Sequence, residues 1–246
     1  MTEHKFKGIV IAEENVGENN KRITVLAKQT GKVVFFAKGA RQVQSPLFSG
    51  TQLFSYCEFV ACMGPTYNAL TQVDLIKSFH TISMDINKLS EAVYIGQLMD
   101  RTIPHGEEQN EVLKLFYHLL HTLEKGKIPP ELISRIFEIK YLQISGYFPE
   151  MHCSSCGDMA YQHLYYNGAT GEFVCKGHRS SEKDFLLQEG LQQAIVYVLN
   201  NTGKSLFKFR LSDELLEQLY EVLGKYIKFH LGFLLASRSF SKKLEQ

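Results

Sequence analysis

Two short cysteine motifs constrain this chain more than any other feature of its sequence. Cys153 and Cys156 form a Cys-x-x-Cys knuckle, and Cys175 and His178 form a Cys-x-x-His knuckle after an 18-residue insert. Each knuckle brings two side chains of a tight turn within reach of one ion, and four such ligands complete the tetrahedral shell of Zn²⁺. The spacing therefore predicts one closed, structural zinc site, with no coordination position left for a reacting water.

The insert between the knuckles has the composition of a β-hairpin. Residues 161–166 and 172–175 are rich in strand-forming side chains, and residues 167–171 between them contain Asn and Gly. Such a pattern predicts strand, turn and strand. The two knuckles would then lie at the open end of the hairpin, where they can share one ion.

Two alternatives to this zinc site stay open. The first is a disulfide between Cys153 and Cys156. The charged N-terminal residues lack the apolar segment of a signal peptide, so we expect a reducing cytoplasm, where such cysteines bind metal or remain thiols. The second alternative is that His152 or His163 replaces His178 as the fourth ligand.

Positive charge is concentrated in one part of the chain, although the net charge is only +1. Residues 19–57 contain no acidic residue and six basic ones, namely Lys21, Arg22, Lys28, Lys32, Lys38 and Arg41. An ordinary solvated surface is the simplest interpretation. The asymmetry nevertheless favours a polyanionic partner, because cations that bind phosphates release counterions. We therefore predict that these six side chains contact nucleic-acid phosphates.

The N-terminal third alternates short strand-forming runs with turn signals, at residues 6–12, 21–27, 32–37, 52–61 and 70–77. Five short strands predict a small closed barrel of the OB-fold type. Phe35 and Phe36 are neighbours in one run, so only one can face the barrel interior. The other could stack on a base or cover a neighbouring domain. Cys57 and Cys62 lie among apolar residues and are predicted to be buried.

From about residue 87 the apolar period becomes helical, which predicts helices near 87–98, 112–123, 131–145, 189–199 and 215–233. Asn87 or Ser90 is expected to cap the first helix, and Ser212 the last. His118 and His121 lie three residues apart on a helix and are expected to be structural or exposed. No apolar run reaches the ~18 residues of a membrane span.

The predicted fold class is therefore α+β and multidomain, with an N-terminal OB-fold β-barrel and a C-terminal helical bundle that contains an inserted zinc-binding hairpin. Four parts follow: an OB-fold DNA-binding domain at 1–80, helical parts at 81–149 and 181–246, and a zinc finger at 150–180.

The chain resembles the bacterial RecO family of recombination mediators over nearly its whole length. The resemblance runs through Gly8-Ile-Val10, Gly17-Glu18, Ile23-Thr-Val-Leu26, Gly31-Lys32, Ala37-Lys-Gly-Ala-Arg41 with Ser45, Gly146-Tyr-Phe-Pro149, Cys153, Cys156-Gly157, and Tyr226 to Arg238 ahead of Phe240. It departs at Gln42, where relatives often carry a second Arg, and at Val16, where they carry an aromatic. It also departs at His178, where a Cys is common. Imidazole is an ordinary zinc ligand, so this last change keeps a zinc site plausible.

The resemblance implies a non-enzymatic protein that binds single- and double-stranded DNA and anneals complementary strands. With RecR it would help to load RecA onto DNA coated by single-stranded-DNA-binding protein (SSB), using the acidic C-terminal tail of SSB as a docking point. It also implies a cytoplasmic, nucleoid-associated location. The basic side chains available for the rim of a tail-binding groove are Lys204, Lys208, Arg210 and Arg238.

The residues also allow two other functions. His105-Gly-Glu107 ahead of Cys153 and Cys156 resembles the H-x-E…C-x-x-C pattern of zinc deaminases, but a second knuckle would fill the position that catalysis needs. An OB-fold with a zinc ribbon also suits RNA binding or a scaffold role, which competition between RNA and single-stranded DNA would reveal.

Overall fold

The computed structural model describes residues 3–148, 151–157, 164–182 and 184–239. It divides into two compact units: the first comprises the described residues up to Gly126 together with Ser239, and the second comprises Lys127–Arg238. No helix in the described ranges has the length and apolarity that crossing a bilayer would require.

The first unit contains a closed five-stranded barrel. Its strands are β1 (Glu3–Val16), β2 (Asn20–Ala27), β3 (Gly31–Ala37), β4 (Tyr56–Cys62) and β5 (Asn68–Lys77). Neighbours around the barrel follow the order β1-β2-β3-β5-β4, and β1 pairs with β4 to close it. The long β1 serves both β2 and β4 because its register shifts between Val10 and Ala12, a bulge that bends the strand. The predicted OB-like barrel is confirmed.

Strand alternation fills the barrel interior. On β3, Val33, Phe35 and Ala37 are buried, whereas Val34 and Phe36 are partly exposed. The Phe35 ring lies 5.3 Å from that of Phe6 and 5.9 Å from that of Phe59, measured between centroids, so three strands contribute to one aromatic core. As predicted, only one of the two adjacent phenylalanines faces inward.

Two helices, α1 (Ile86–Thr102) and α2 (Asn110–Lys125), complete the first unit. The side chain of Asp85 caps α1 by accepting hydrogen bonds from the N–H groups of Asn87 and Lys88. The prediction that Asn87 or Ser90 is the cap is wrong, since Asn87 is already helical and the Ser90 hydroxyl donates to the Asn87 carbonyl. An aspartate carboxylate is among the best acceptors for these N–H groups.

The second unit combines helices α3 (Pro130–Ile144), α4 (Glu189–Asn200) and α5 (Asp213–Leu231) with the strands β6 (Leu164–Asn167), β7 (Glu172–Cys175) and β8 (Phe185–Leu186). Strands β6 and β7 form the predicted hairpin, whose residues 161–163 lie outside the described ranges. Strand β8 adds a third strand beside β6, which the sequence did not predict. Ser212 caps α5 as predicted, accepting from the Leu215 N–H.

A cluster of charged side chains is buried in the second unit. Glu138 of α3 lies between Arg135 and Arg238, with N–O distances of 3.0 Å to the Nε atom of each guanidinium group. The Arg238 guanidinium also lies over the Tyr220 ring, 4.1 Å from its centroid. Arg238 is only 2% exposed, so the expectation that it supplies a rim charge for a docking groove is wrong. Its charge is satisfied inside the protein.

The predicted boundary at residue 80 and the boundary between compact units at Gly126 differ in where they place α1 and α2. Helix α1 lies so close to the barrel that a Cβ atom on Gly96 would be 2.8 Å from the Ile11 carbonyl oxygen. Helix α2 also packs on the first unit, where its Phe116 ring lies 6.2 Å from that of Phe54, measured between centroids, and both helices group with the barrel. The zinc hairpin and helices α3, α4 and α5 belong to the same compact unit, so the division of the chain into four parts stays a prediction.

Candidate functional site

The four predicted metal ligands come together at the open end of the β6–β7 hairpin. The Sγ atoms of Cys153, Cys156 and Cys175 and one ring nitrogen of His178 all lie within 4.8 Å of one another. The Cys156 and Cys175 sulfurs are 3.9 Å apart, and His178 Nδ1 lies 3.7 Å from the Cys153 sulfur and 3.2 Å from the Cys175 sulfur. Ligands at about 2.3 Å from a tetrahedral ion are about 3.8 Å apart, so the donor set fits one metal ion.

Backbone hydrogen bonds shape the first knuckle. The Gly157 N–H donates to the Cys153 carbonyl and closes the turn, and the Ser154 N–H donates to the Phe173 carbonyl and ties the turn to β7. Burial alone would raise the pKa of the Cys153 thiol. Hydrogen bonds from the backbone of Cys175, Cys156 and Ser155 outweigh it and hold that pKa below its ordinary value. The knuckle is therefore built to carry a thiolate, the form that binds metal.

The second knuckle favours a thiolate in the same way. Burial opposes a low pKa at Cys175, but hydrogen bonds from the Gly177 and His178 backbone and from the Cys153 side chain lower that pKa below its ordinary value. The Cys175 side chain is half-buried, whereas Cys153 is fully buried. The pair offers one shielded and one accessible ligand.

The two alternatives to this ligand set are a Cys153–Cys156 disulfide and a different histidine as the fourth ligand. All five cysteines are free thiols, so the described chain contains no Cys153–Cys156 disulfide. His152 is not among the clustered ligands, and His163 lies outside the described residues. Cys57 is fully buried in the barrel as expected, and Cys62 is partly buried.

The six predicted phosphate ligands do not form one surface. Arg22 is near the beginning of β2, and Lys38 and Arg41 follow the end of β3, which pairs with the beginning of β2. Arg22 pairs across the sheet with Phe36, and the Arg41 side chain donates to the Gly17 carbonyl at 2.7 Å in the β1–β2 turn. All three side chains are exposed. We call this group, together with Phe36 and its neighbour Tyr67, the basic–aromatic face.

Lys21 and Lys32 are held by acceptors of the first unit. The Lys21 ammonium lies 2.6 Å from the Glu13 carboxylate and 3.2 Å from the Gln52 amide oxygen, and Lys21 is only 6% exposed. Lys32 donates to the Asp100 carbonyl, and its ammonium is 3.4 Å from the carboxylate of that residue. Because an internal carboxylate already balances each charge, neither residue carries the phosphate-binding proposal below.

Lys28 lies apart from the basic–aromatic face. It follows the last residue of β2, so the whole eight-residue strand separates it from Asn20 at the other end. At about 3.4 Å per residue, the eight steps from Asn20 to Lys28 correspond to roughly 27 Å. The exposed Lys28 side chain instead lines a cavity beside α2.

An aromatic pair accompanies the exposed cations, and sequence reasoning found only half of it. The Phe36 and Tyr67 rings meet edge to face with centroids 5.7 Å apart, and Tyr67 is 61% exposed. Exposed aromatic rings next to cations are the usual surface for stacking unpaired bases. Tyr67 could have been noticed as an aromatic residue in the Gly64-Pro-Thr-Tyr-Asn68 turn ahead of β5.

The deaminase pattern has no geometric support among the described residues. The His105 ring nitrogen Nδ1 lies 3.0 Å from the Lys32 carbonyl oxygen, a contact that anchors the segment between α1 and α2 on the barrel. The clustered metal ligands of the described chain are the two knuckles alone.

Comparison with known proteins matches both parts of the chain to one family. A family model described as the N terminal part of recombination protein O matches residues 1–79, and one described as its C terminal part matches residues 83–239. A protein named DNA repair protein RecO from Acetivibrio thermocellus is 33% identical over 98% of this chain and 97% of its own length. Proteins of the same name from Halalkalibacterium halodurans and Listeria monocytogenes are 28% and 26% identical, each over 98% of this chain and 95% of its own length.

Proposed function

The chain belongs to the RecO family of DNA repair proteins, and on that premise we propose that it is a non-enzymatic recombination mediator. It binds single- and double-stranded DNA and anneals complementary strands. With RecR, it helps to load RecA onto single strands coated by SSB. Its place of action is the nucleoid in the cytoplasm, where chromosomal DNA lies.

One observation carries this proposal: on an OB-like barrel, the basic–aromatic face places three exposed cations beside an aromatic pair in which Tyr67 is exposed and Phe36 is partly exposed. Cations that reach phosphates give affinity without sequence preference, which annealing requires. Aromatic rings hold unpaired bases by stacking, which favours a single strand. The Arg22–Glu14 ion pair does not oppose this role, because an exposed pair is weak and can exchange its carboxylate for a phosphate.

We propose that the ion at the two knuckles is Zn²⁺. Three thiolates and one imidazole are a donor set that zinc prefers, and four protein ligands leave no position for substrate or water. The ion would brace the β6–β7 hairpin and supply no chemistry.

The SSB tail is proposed to dock on the second unit. It is acidic and ends in an apolar residue, so it needs exposed cations beside apolar side chains. Lys204, Lys208 and Arg210 remain candidates for those cations. The Arg210 side chain donates to the Lys127 carbonyl at 2.8 Å and leaves part of its guanidinium group exposed.

The test measures annealing of two complementary strands coated with SSB, in the absence of ATP. Fluorescence quenching is the readout. We expect this protein to accelerate annealing, and we expect the acceleration to disappear when SSB lacks its C-terminal tail. Failure to anneal, combined with stronger binding to RNA than to single-stranded DNA of equal length, would refute the mediator function and support the RNA-binding alternative.

A further inference from the structure

A cation-lined cavity lies in the first unit, beside α2 and away from the basic–aromatic face. Its volume is about 290 Å³, and it is lined by Lys7, Lys28, Tyr56, Asn110, Leu113, Lys114, Tyr117 and His118. We call it the lysine–tyrosine pocket. Neither the zinc site nor the basic–aromatic face uses any of its residues.

Three elements bring the lysines to the mouth of this pocket. The Lys28 N–H donates to the Lys7 carbonyl at 2.8 Å, which holds the end of β2 beside β1. Lys114 comes from the first turns of α2, four residues after Asn110. All three lysine side chains are exposed, so their ammonium groups are available to a ligand.

Aromatic side chains form one wall of the pocket. The Tyr56 and Tyr117 rings meet edge to face with centroids 5.5 Å apart, and Tyr117 also packs on Phe79 at 5.4 Å. The Lys7 ammonium lies 5.6 Å from the centre of the Tyr56 ring. Because packing on Phe79 fixes Tyr117, the wall is preformed and can accept a flat ring without rearrangement.

The charges around the pocket favour an anion. Three of its lining residues are lysines and none is acidic. Glu58, the cross-strand partner of Lys7, lies 3.6 Å from the Lys5 ammonium instead. Helix α2 begins at Asn110, but its first turn carries Glu111 and the Asn110 amide donates to the Glu108 carboxylate, so the positive charge at the pocket comes from the three lysines and not from the helix terminus.

We propose that the lysine–tyrosine pocket binds a nucleotide, with the base against the Tyr56–Tyr117 wall and a phosphate among Lys7, Lys28 and Lys114. A simple inorganic anion would use the lysines but leave the aromatic wall without a role. The same chemistry is available from a free nucleotide and from an unpaired nucleotide of a single strand. The second source rests on the proposed function, and a strand held at both the pocket and the basic–aromatic face would run about 27 Å along β2.

Photocrosslinking tests this proposal with two probes. One is iododeoxyuridine monophosphate, and the other is a thymidine oligonucleotide that carries a single iododeoxyuridine; irradiation joins this base to an adjacent aromatic side chain. Peptides labelled in the full-length protein are identified by mass spectrometry. The test variant is Lys28→Ala with Lys114→Ala, and the matched control is Lys88→Ala with Lys125→Ala, which removes the same charge from α1 and α2 outside the pocket.

We expect labelling of Tyr56 or Tyr117 by the oligonucleotide, about tenfold weaker in the test variant and changed less than about twofold in the control. Labelling by the monophosphate as well identifies a general nucleotide site, and labelling by the oligonucleotide alone identifies a site for strands. Crosslinks confined to Phe36 or Tyr67 overturn the pocket but leave DNA binding intact. Labelling of the pocket by the monophosphate, with no binding of the oligonucleotide, supports the pocket and refutes the proposed DNA-binding function.

Discussion

Arg238 and Glu138 lie 100 residues apart in the chain and form a two-point ion pair inside the second unit. Arg238 Nε donates to one carboxylate oxygen at 3.0 Å, and its terminal nitrogen donates to the other at 3.2 Å. Arg238 also donates to the Tyr220 carbonyl at 2.8 Å. The described chain after α5 is thereby fixed to the centre of α3.

Replacing Glu138 with Gln should lower the free energy of unfolding by about 3 kcal/mol or more, because both Arg135 and Arg238 then lose the carboxylate that compensates their buried charges. Urea denaturation measures the effect. Lys5→Ala is the control, since the Lys5–Glu58 pair is exposed and its loss should change stability by less than about 1 kcal/mol. Equal, small effects of the two substitutions would show that the buried pair is not stabilising.

Replacing Lys38 and Arg41 together with Ala should weaken binding to single-stranded DNA and flatten its salt dependence. Each phosphate contact contributes about 0.7 to the slope of log affinity against log salt, so the slope should fall by about 1.4. Fluorescence anisotropy at several salt concentrations gives both slopes. Lys88→Ala with Lys125→Ala removes the same charge elsewhere in the unit and should leave the slope unchanged; an equal loss in both variants would mean that only net charge matters.

Replacing Cys153 and Cys156 with Ser should abolish metal binding and destabilise the β6–β7 hairpin, because metal binding and folding of such a site are coupled. We expect one zinc ion per chain in the unmodified protein and in a Cys62→Ser control, measured by elemental mass spectrometry, and none in the double variant. DNA binding by the barrel should remain. A double variant that melts at the same temperature as the unmodified protein would contradict the structural role of the metal.

The Cys57 thiol should resist alkylation in the folded protein. Burial raises its pKa to about 12 from an ordinary value of 9.0, so almost no thiolate exists at pH 8. Iodoacetamide should modify Cys62 before Cys57, which should react only after denaturant is added, as followed by peptide mass spectrometry. Fast native modification of Cys57 would show that the barrel opens readily.

The raised pKa of the Cys57 thiol also affects the stability of the fold at high pH. The fold favours the neutral thiol, so its contribution is complete below pH 9 and is lost as the pH rises from about 9 towards 12. A Cys57→Ala variant should lack this part of the alkaline loss.

Local pattern was sufficient to predict the barrel strands and the metal cluster. Alternation along β3 correctly predicted that only one of Phe35 and Phe36 faces inward, because side chains on a strand alternate regardless of what surrounds it, and the structure shows that the inward one is Phe35. The four ligands were found from spacing, since both knuckles are tight turns that fix their own geometry.

Residues whose environment depends on distant partners were not predictable. Lys21 seemed an open cation until β1–β2 pairing placed Glu13 beside it, and Arg238 seemed exposed because its partner Glu138 is far away in sequence. Strand β8 has only two residues, too few for a period, and forms because β6 offers a free edge. The lysine–tyrosine pocket likewise needs β1, β2, β4 and α2 to be placed together.

The pairing between β3 and β5 is the shortest in the barrel. Strands β2 and β3 are paired over seven residues each, whereas β3 and β5 are joined through the pairs Phe35–Asn68 and Phe36–Ala69. Under mechanical tension, the barrel should therefore part first between β3 and β5. The contact between the Phe36 ring on β3 and the Tyr67 ring directly before β5 helps to hold these two strands together. A base inserted between these two rings would favour separation of β3 from β5, the strand pair with the fewest backbone pairings in the barrel. The surface that binds a DNA strand is therefore also the place where DNA binding would destabilise the barrel.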